Sequence, residues 1–276
     1  MATLPSTRAL PNPDDQGEDE TLLLRNRKNV GRRMPHSLEM SSEEVEGFHK
    51  SRFVPSRFLL GYRTLFAVIY VWAIINIVVD PGKLVYLTHW TAALTGIHFV
   101  LGAILISKNP VGKMSSLHKL ALVVQNVTTG ATLGVHVLYM ILLYHLMGLD
   151  VASAFVHVVN AYAVLLDKVL SCAPTKYEHV HHVGIYVMVY VSWAFIFNYA
   201  SGEGIYYFMN FKNTTYSWFA LAYVPITFTG AFLLVCFVDR LAASAAKSCN
   251  GDQRSGTDDA KQNDDVNCSS VHGDNA

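Results

Sequence analysis

The sequence predicts an all-α integral membrane protein, a single bundle of six transmembrane helices with disordered cytoplasmic tails. Of its 276 residues, 51% are hydrophobic. Only 15% of the residues are charged, against about 25% in an ordinary soluble domain. These charges crowd into residues 1–57 and 239–276 and leave the middle of the chain nearly bare. A long, nearly uncharged stretch is typical of a chain whose solvent is lipid.

Six apolar stretches are long enough, or nearly long enough, for a helix to cross a bilayer, which takes roughly 20 residues. They cover residues 58–79, 88–107, 120–146, 151–172, 180–200 and 217–238. Turn-forming residues separate them, as at Asp80, Pro81 and Gly82. Because an unpaired backbone amide is costly in lipid and no strand-like alternation is present, we expect every stretch to be helical.

The composition divides the chain into three regions. Residues 1–57 and 241–276 are rich in polar and small residues, so we expect disordered tails on either side of a transmembrane domain at 58–240. Basic residues cluster before the first helix, after the last, and in the loops on the same side. The positive-inside rule therefore predicts that both termini are cytoplasmic. The plasma membrane is the favoured location, and the endoplasmic reticulum is the alternative.

This orientation also predicts the chemistry of the loops. The four cysteines, Cys172, Cys236, Cys249 and Cys268, all fall on the reducing side, so we expect free thiols. Asn213 begins an Asn-Thr-Thr sequon in the long luminal loop and is the candidate glycosylation site.

The composition restricts the partners as well. The formal net charge is zero and no extended basic face is present, which argues against nucleic acid binding. We find no inverted repeat of the kind that transporters carry. Membrane lipids are the expected partners, together with a lipid ester if the chain is an enzyme.

Polar side chains are costly inside a membrane, so their positions are informative. Three helices each carry polar residues on one face. These residues are Thr88, Thr91, Thr95, His98 and Gly102 on the second helix, Asn126, Thr129 and His136 on the third, and His157, Asn160 and Asp167 on the fourth. We expect the three faces to enclose a polar pocket lined by His98, His136 and Asn126, with Thr88 at its mouth. Two interpretations stay open: the histidines bridge helices structurally, or the pocket is functional.

Two further pairs predict contacts between helices. Arg63 and Asp167 lie at similar depth near the cytoplasmic face, and we expect them to form a buried ion pair because each charge alone would be expensive. Gly130 and Gly134 have the spacing that lets helices approach closely. They pack within the bundle or drive a dimer, and we favour the bundle.

Two groups of histidines raise the question of a metal. One group consists of Glu178, His179, His181 and His182, and the other of His98, His136 and His157. Adjacent histidines at a helix start are more often interfacial than metal-binding. The second group has no carboxylate at its depth to orient the imidazoles. We therefore expect no metal and no cofactor.

Several segments, in their order and spacing, resemble the rolling stone family of six-helix membrane proteins. They are Phe58–Arg63 and Tyr86–Trp90 at the first two helices, His157, Asn160 and Asp167 on the fourth, Tyr186–Tyr190 on the fifth, and Gly202–Tyr206 after it. The resemblance covers about residues 53–240 and leaves out the tails. It implies a role in cell–cell fusion of myoblasts or in muscle development.

The rolling stone family is in turn remotely similar to the androgen-induced and androgen-dependent membrane proteins. Those proteins hydrolyse fatty acid esters of hydroxy fatty acids with an intramembrane threonine and a histidine. Thr88 matches the position of their threonine, but Asn160 stands where their histidine is expected. Asparagine cannot act as a general base. His157, one turn away on the same face, is the candidate replacement.

This similarity implies a chemistry in which Thr88 attacks the ester carbonyl after His157 takes its proton, and water then resolves the acyl-enzyme. Asn160 or Trp90 would donate to the oxyanion. The alternative role for Thr88 is a helix N-cap, which threonine fills readily in a first turn. The sequence therefore leaves two functions: a fusion protein of the rolling stone type, or an intramembrane Thr/His lipid ester hydrolase.

Overall fold

The computed structural model describes residues 42–108, 115–144, 154–173, 175–211 and 216–254. They all belong to one compact unit that begins at Met40. Throughout these ranges the chain is helical and forms no strand, and its one isolated β-bridge joins Ser51 to Ser171. The all-α prediction is therefore confirmed for the part of the chain that the structure describes.

The described residues form seven α-helices. They are α1 (Ser42–Gly47), α2 (Ser56–Val79), α3 (Leu87–Ser107), α4 (Ser116–Leu138), α5 (Asn160–Leu170), α6 (Val180–Ser201) and α7 (Tyr216–Arg254). Short 3-10 turns occur at Pro81–Val85, Tyr177–His179 and Tyr207–Met209. Two π-helical turns, Tyr139–Leu143 and Ala154–Val159, follow α4 and precede α5.

Five of the helical stretches are long and apolar enough to cross a membrane. They are Ser56–Ile75, Leu87–Ser107, Ser116–Leu142, Tyr177–Ser201 and Ser217–Ser248. The predicted fourth span, 151–172, lies partly outside the described residues, and its described part consists of Ala154–Val159 and α5. Several long apolar helices indicate an integral membrane protein. That the stretch at 151–172 also crosses the membrane, which would make six spans, stays a prediction.

Helix α4 occupies the centre of the bundle, where it packs against α3, α5, α6 and α7. Its two glycines allow this close packing. A Cβ at Gly130 would come within 2.8 Å of Val183 on α6, and one at Gly134 within 2.8 Å of Phe228 on α7. The glycine pair thus packs within the bundle, which is the alternative that we favoured.

The segment that runs from α1 to the start of α2 differs from the disordered tail that the sequence predicts for residues 1–57. Val45, Phe48 and His49 are buried. We call residues 45–52 the N-terminal strap. The prediction of disorder is wrong for this segment, because its apolar and basic side chains find partners on helices that are distant in sequence.

Backbone and side-chain contacts hold the strap against the bundle. The Arg52 backbone N–H donates to the Leu170 carbonyl at 2.8 Å, and the Cys172 N–H donates to the Lys50 carbonyl at 3.2 Å. Arg52 Nη2 also pairs with Asp239 Oδ1 of α7 at 2.6 Å, and both side chains are almost fully buried. The strap therefore joins the end of α5 to α7.

Helix α7 is longer than the sequence predicts. It is helical from Tyr216 to Arg254, whereas the predicted span ends at residue 238 and the predicted tail begins at 241. The prediction is wrong for residues 241–254, since Leu241 and several alanines beyond residue 238 favour helix.

The cysteine prediction holds only in part. Cys236 is a buried free thiol. Cys172 is disulfide-bonded, so the free-thiol prediction is wrong at this position. The basic residues that predicted its side of the membrane carry no information about which cysteines the fold brings together. Cys249 and Cys268 lie outside the side chains that the structure describes.

Candidate functional site

A small cavity lies at the end of the bundle where α3 begins, which we call the Thr88 end. Its lining consists of Leu87, Thr88, Val135, Leu138, Tyr139, His157, Tyr206, Phe208 and Met209. The cavity volume is about 20 Å³, which is enough for about one water molecule. The wall is almost entirely apolar, apart from the polar groups of one threonine, one histidine and two tyrosines.

Thr88 reaches the cavity from the first turn of α3. The N-cap of this helix is Tyr86, and no side-chain hydrogen bond caps it. The capping interpretation of Thr88 is therefore wrong, because the residue lies inside the helix. Its side chain is buried and lies within hydrogen-bonding reach of the Tyr206 hydroxyl. A buried hydroxyl that is not needed for the helix end is available for another role.

His157 enters the same cavity from the π-helical turn before α5. Its ring lies flat on the ring of Tyr139, with centroids 3.9 Å apart and an interplanar angle of 11°. Its carbonyl oxygen accepts a hydrogen bond from His136 Nδ1 at 3.0 Å. Stacking on Tyr139 therefore orients this imidazole at the cavity wall, and the contact with His136 holds the backbone that carries it.

Asn160 does not line the cavity. The residue is buried, and its Oδ1 accepts a hydrogen bond from the Tyr70 hydroxyl of α2 at 3.0 Å. This contact joins α2 to α5. The structure thus gives Asn160 a bridging position between helices and separates it from Thr88 and His157.

The predicted polar pocket of His98, His136 and Asn126 is not assembled. His98 Nε2 lies 3.1 Å from Asp167 Oδ2, and Asn126 Nδ2 donates to His179 Nδ1 at 3.0 Å. His136 donates to the backbone at His157, as described above. The three side chains belong to three separate contacts: His98 reaches α5, His136 reaches the π-helical turn before α5, and Asn126 reaches the 3-10 turn before α6.

The structure brings Arg63 and Asp167 together as a bidentate ion pair. Arg63 Nε lies 2.7 Å from Asp167 Oδ1, and Nη2 lies 3.1 Å from Oδ2. Both side chains are buried. Nη1 of Arg63 lies 3.4 Å from the carbonyls of Phe48 and Gly102. Each charge is therefore matched inside the bundle, and His98 completes the shell of the carboxylate.

The second group of histidines lies at the opposite end of the bundle, before and at the start of α6. His179 and His182 stack with ring centroids 5.5 Å apart, and His181 contacts His182 at 4.1 Å. No cluster of three or more metal-binding side chains occurs within the described ranges. The glycosylation candidate Asn213 lies outside the described residues.

Sequence reasoning missed Tyr206 as a residue of the site. It follows α6, and its hydroxyl lies within hydrogen-bonding reach of Thr88 and of Tyr190. Burial raises the pKa of the Tyr206 phenol, so the group stays protonated at neutral pH. The only indication in the sequence was that Tyr206 ends the Gly202–Tyr206 segment of the family resemblance.

The fold and the cavity together define a class: a membrane-embedded helix bundle with a hydroxyl, an imidazole and a phenol around one small apolar cavity. Comparisons with family models, with curated proteins and with solved structures find no match to this chain. We therefore infer the function from the geometry of the site and from the resemblance described above.

Proposed function

We propose that this chain is a multi-pass membrane protein of the rolling stone type whose cavity hydrolyses fatty acid esters of hydroxy fatty acids. One observation supports the proposal most strongly: Thr88 and His157, from distant parts of the chain, line the same cavity. A hydroxyl nucleophile and an imidazole base at one site are the two groups that acyl transfer requires. The apolar wall suits a substrate with long acyl chains.

The reaction follows from these two groups. Thr88 Oγ1 attacks the ester carbonyl while His157 accepts the hydroxyl proton, and the carbonyl π electrons move onto oxygen. Collapse of the tetrahedral intermediate breaks the ester C–O bond, and His157 returns the proton to the departing hydroxy fatty acid. Water then adds to the acyl-threonine by the same route and releases the free fatty acid.

Substrate entry requires the cavity to expand, since about 20 Å³ is far less than the several hundred Å³ of a usual ligand pocket. Tyr206, Phe208 and Met209 form one wall of the cavity and lie in the segment between α6 and α7. Movement of this short segment would admit an ester from the membrane surface without disturbing the helices.

The test measures ester hydrolysis by the full-length protein in lipid vesicles that contain a fatty acid ester of a hydroxy fatty acid. We expect turnover by the unsubstituted chain and its loss in Thr88→Ala and His157→Ala. Thr95→Ala is the matched control, because Thr95 lies on the same helix, is buried, and bonds only its own helix at the Thr91 carbonyl. Absence of turnover in folded, unsubstituted protein would refute the proposal.

A non-enzymatic role in cell–cell fusion is the second candidate. The structural observation in its favour concerns Asn160, which stands where the ester hydrolases are expected to have a histidine. Its side chain accepts a hydrogen bond from Tyr70 and does not line the cavity. In this case the protein would lie in the plasma membrane, and Thr88→Ala would fuse cells as well as the unsubstituted chain. An expression-dependent fusion assay with this variant separates the two functions.

A further inference from the structure

We infer that Tyr206 is the oxyanion donor of the cavity, an assignment that rests on the proposed ester hydrolysis. Its hydroxyl lies within hydrogen-bonding reach of the Thr88 side chain, and its ring lines the cavity beside Thr88 and His157. The negative oxygen of a tetrahedral intermediate is bonded to the same carbon as the attacking oxygen. A donor beside Thr88 Oγ1 is therefore close to the position that the oxyanion takes.

The donors expected from the sequence do not compete for this role. Asn160 contacts Tyr70 rather than the cavity. Trp90 packs against Tyr190 with ring centroids 5.6 Å apart and is not part of the cavity lining. Tyr139 also lines the cavity, and its ring stacks on His157, the proposed base.

The hydrogen-bonding neighbours of Tyr206 leave its proton available. The Tyr190 hydroxyl donates its only proton to the Val85 carbonyl at 3.2 Å. With its proton directed at that carbonyl, Tyr190 offers only oxygen lone pairs to the neighbouring Tyr206 hydroxyl. When an oxyanion forms beside Thr88, the same O–H can turn to it, and the stronger, charged acceptor is favoured.

Aromatic packing orients Tyr206 when the segment between α6 and α7 lies against the cavity. Its ring stacks on Phe208 with an interplanar angle of 1° and centroids 5.2 Å apart. The edge of the Tyr86 ring lies against it, with centroids 5.9 Å apart. A donor that is already oriented stabilises the transition state without the cost of reorganising it.

In the proposed step, Tyr206 donates a hydrogen bond and keeps its proton. The new bond joins Thr88 Oγ1 to the carbonyl carbon, the proton of Thr88 goes to His157, and the oxyanion is held by the Tyr206 O–H. When the intermediate collapses, the carbonyl re-forms and the hydrogen bond relaxes. Tyr206 therefore lowers the barriers of both acylation and deacylation.

The experiment compares full-length unsubstituted protein, Tyr206→Phe and Tyr186→Phe in the vesicle assay. Tyr186→Phe is the matched control, because the Tyr186 hydroxyl also lies close to a threonine of α3, Thr91, at 3.0 Å, but outside the cavity lining. For Tyr206→Phe we expect kcat to fall by about 10²–10³-fold while KM changes little. Tyr186→Phe should keep the kcat of the unsubstituted chain.

A second readout excludes a purely structural effect. A trifluoromethyl ketone of a long-chain acid forms a tetrahedral adduct with the nucleophile and mimics the oxyanion. Tyr206→Phe should weaken its inhibition by the same factor as kcat/KM, without changing the affinity for a non-hydrolysable ether analogue. Equal losses for the two ligands, or an unchanged kcat, would overturn the assignment while leaving the hydrolase proposal intact. No turnover by the unsubstituted chain would overturn both.

Discussion

At the scale of single residues, the most expensive groups in this protein are the buried charges, and the structure shows how each is matched. Arg63 and Asp167 meet through two hydrogen bonds deep between α2 and α5. A charge in a low-dielectric interior is costly unless a partner and hydrogen bonds compensate for it. Such a pair secures helix positions but does not by itself provide catalysis.

Removing one partner should therefore be costly. Asp167→Asn leaves Arg63 without its counter-charge, and we expect a loss of about 3–5 kcal/mol in the free energy of unfolding. The matched control is Asp80→Asn, which breaks the exposed Lys83–Asp80 pair at 3.6 Å and should change stability by less than about 1 kcal/mol. Unfolding in mixed micelles measures both. Equal effects of the two substitutions would contradict the buried-pair account.

The glycines of α4 offer a second residue-scale prediction. In Gly134→Ala the new Cβ would lie 2.8 Å from Phe228 Cγ, so we expect overpacking to cost about 1–3 kcal/mol. Gly230→Ala on α7 is the control, since its Cβ would meet nothing within 4 Å. Because alanine favours helix, that substitution should stabilise the protein by up to about 1 kcal/mol. Thermal unfolding of the two variants and of the unsubstituted chain in the same detergent measures both changes in stability.

At the scale of elements, the N-terminal strap shows that a hydrophilic segment can be a structural part of a membrane protein. His49 Nε2 of the strap lies 3.3 Å from His118 Nε2 of α4, and both rings are buried. One imidazole donates to the other, which requires at least one of them to be neutral. The strap is thus attached to α4 by a contact that responds to protonation.

We predict that acid weakens this attachment. Burial and the neighbouring His118 lower the pKa of His49, and the nearby Arg63 acts in the same direction. The unfolded chain therefore binds the proton more readily than the folded one, so stability falls as the pH drops through the ordinary histidine range near 6.5. His49→Gln should flatten this dependence. The rate at which a protease cleaves the strap, measured between pH 7.5 and 5.5, reports how firmly the strap is attached. The same pH dependence of this rate in His49→Gln and in the unsubstituted chain would refute the prediction.

The contact between α5, α7 and the strap explains part of what sequence analysis could not foresee. Arg52 and Asp239 are far apart in sequence, and each stands at a boundary that looks like the start of a solvated tail. Their pairing at 2.6 Å depends on where the two helices end in space. Periodicity within a segment contains no information of this kind.

At the scale of the whole molecule, the arrangement of long helices predicts a topology. If α5 and its preceding turn cross the membrane together with the five long apolar helices, the strap and the end of α7 lie on the same side. The basic residues near that side predict that it is the cytoplasmic one. Asn213 would then face the lumen or the cell exterior.

Sealed vesicles test this topology. We expect tags at both termini to be protected from external protease in vesicles with a cytoplasmic interior, because an even number of spans returns the chain to its starting side. Glycosidase treatment should shift the mobility of the unsubstituted chain and not that of Asn213→Gln if the sequon is used. Protection of one terminus alone would show that the fourth stretch does not span the membrane.

The candidate site shows how far sequence reasoning reaches. Thr88 and His157 were named from a resemblance and from their faces on two helices, and the structure places both at one cavity. Asn160, on the same helical face as His157, lies against Tyr70 instead. About one turn separates the two residues: His157 lies in the π-helical turn before α5, and Asn160 is the first residue of α5.

The sequence by itself determined the all-helical class, the positions of the long apolar helices and the residues whose polarity is costly in lipid. These properties are local, because hydropathy and helix periodicity act over one segment at a time. Only the tertiary structure decided that the strap is packed, that His98 joins Asp167 rather than a shared pocket, and that Tyr206 meets Thr88. Such contacts depend on the rotation of each helix and the course of each loop, which are set jointly by the packing of the whole bundle.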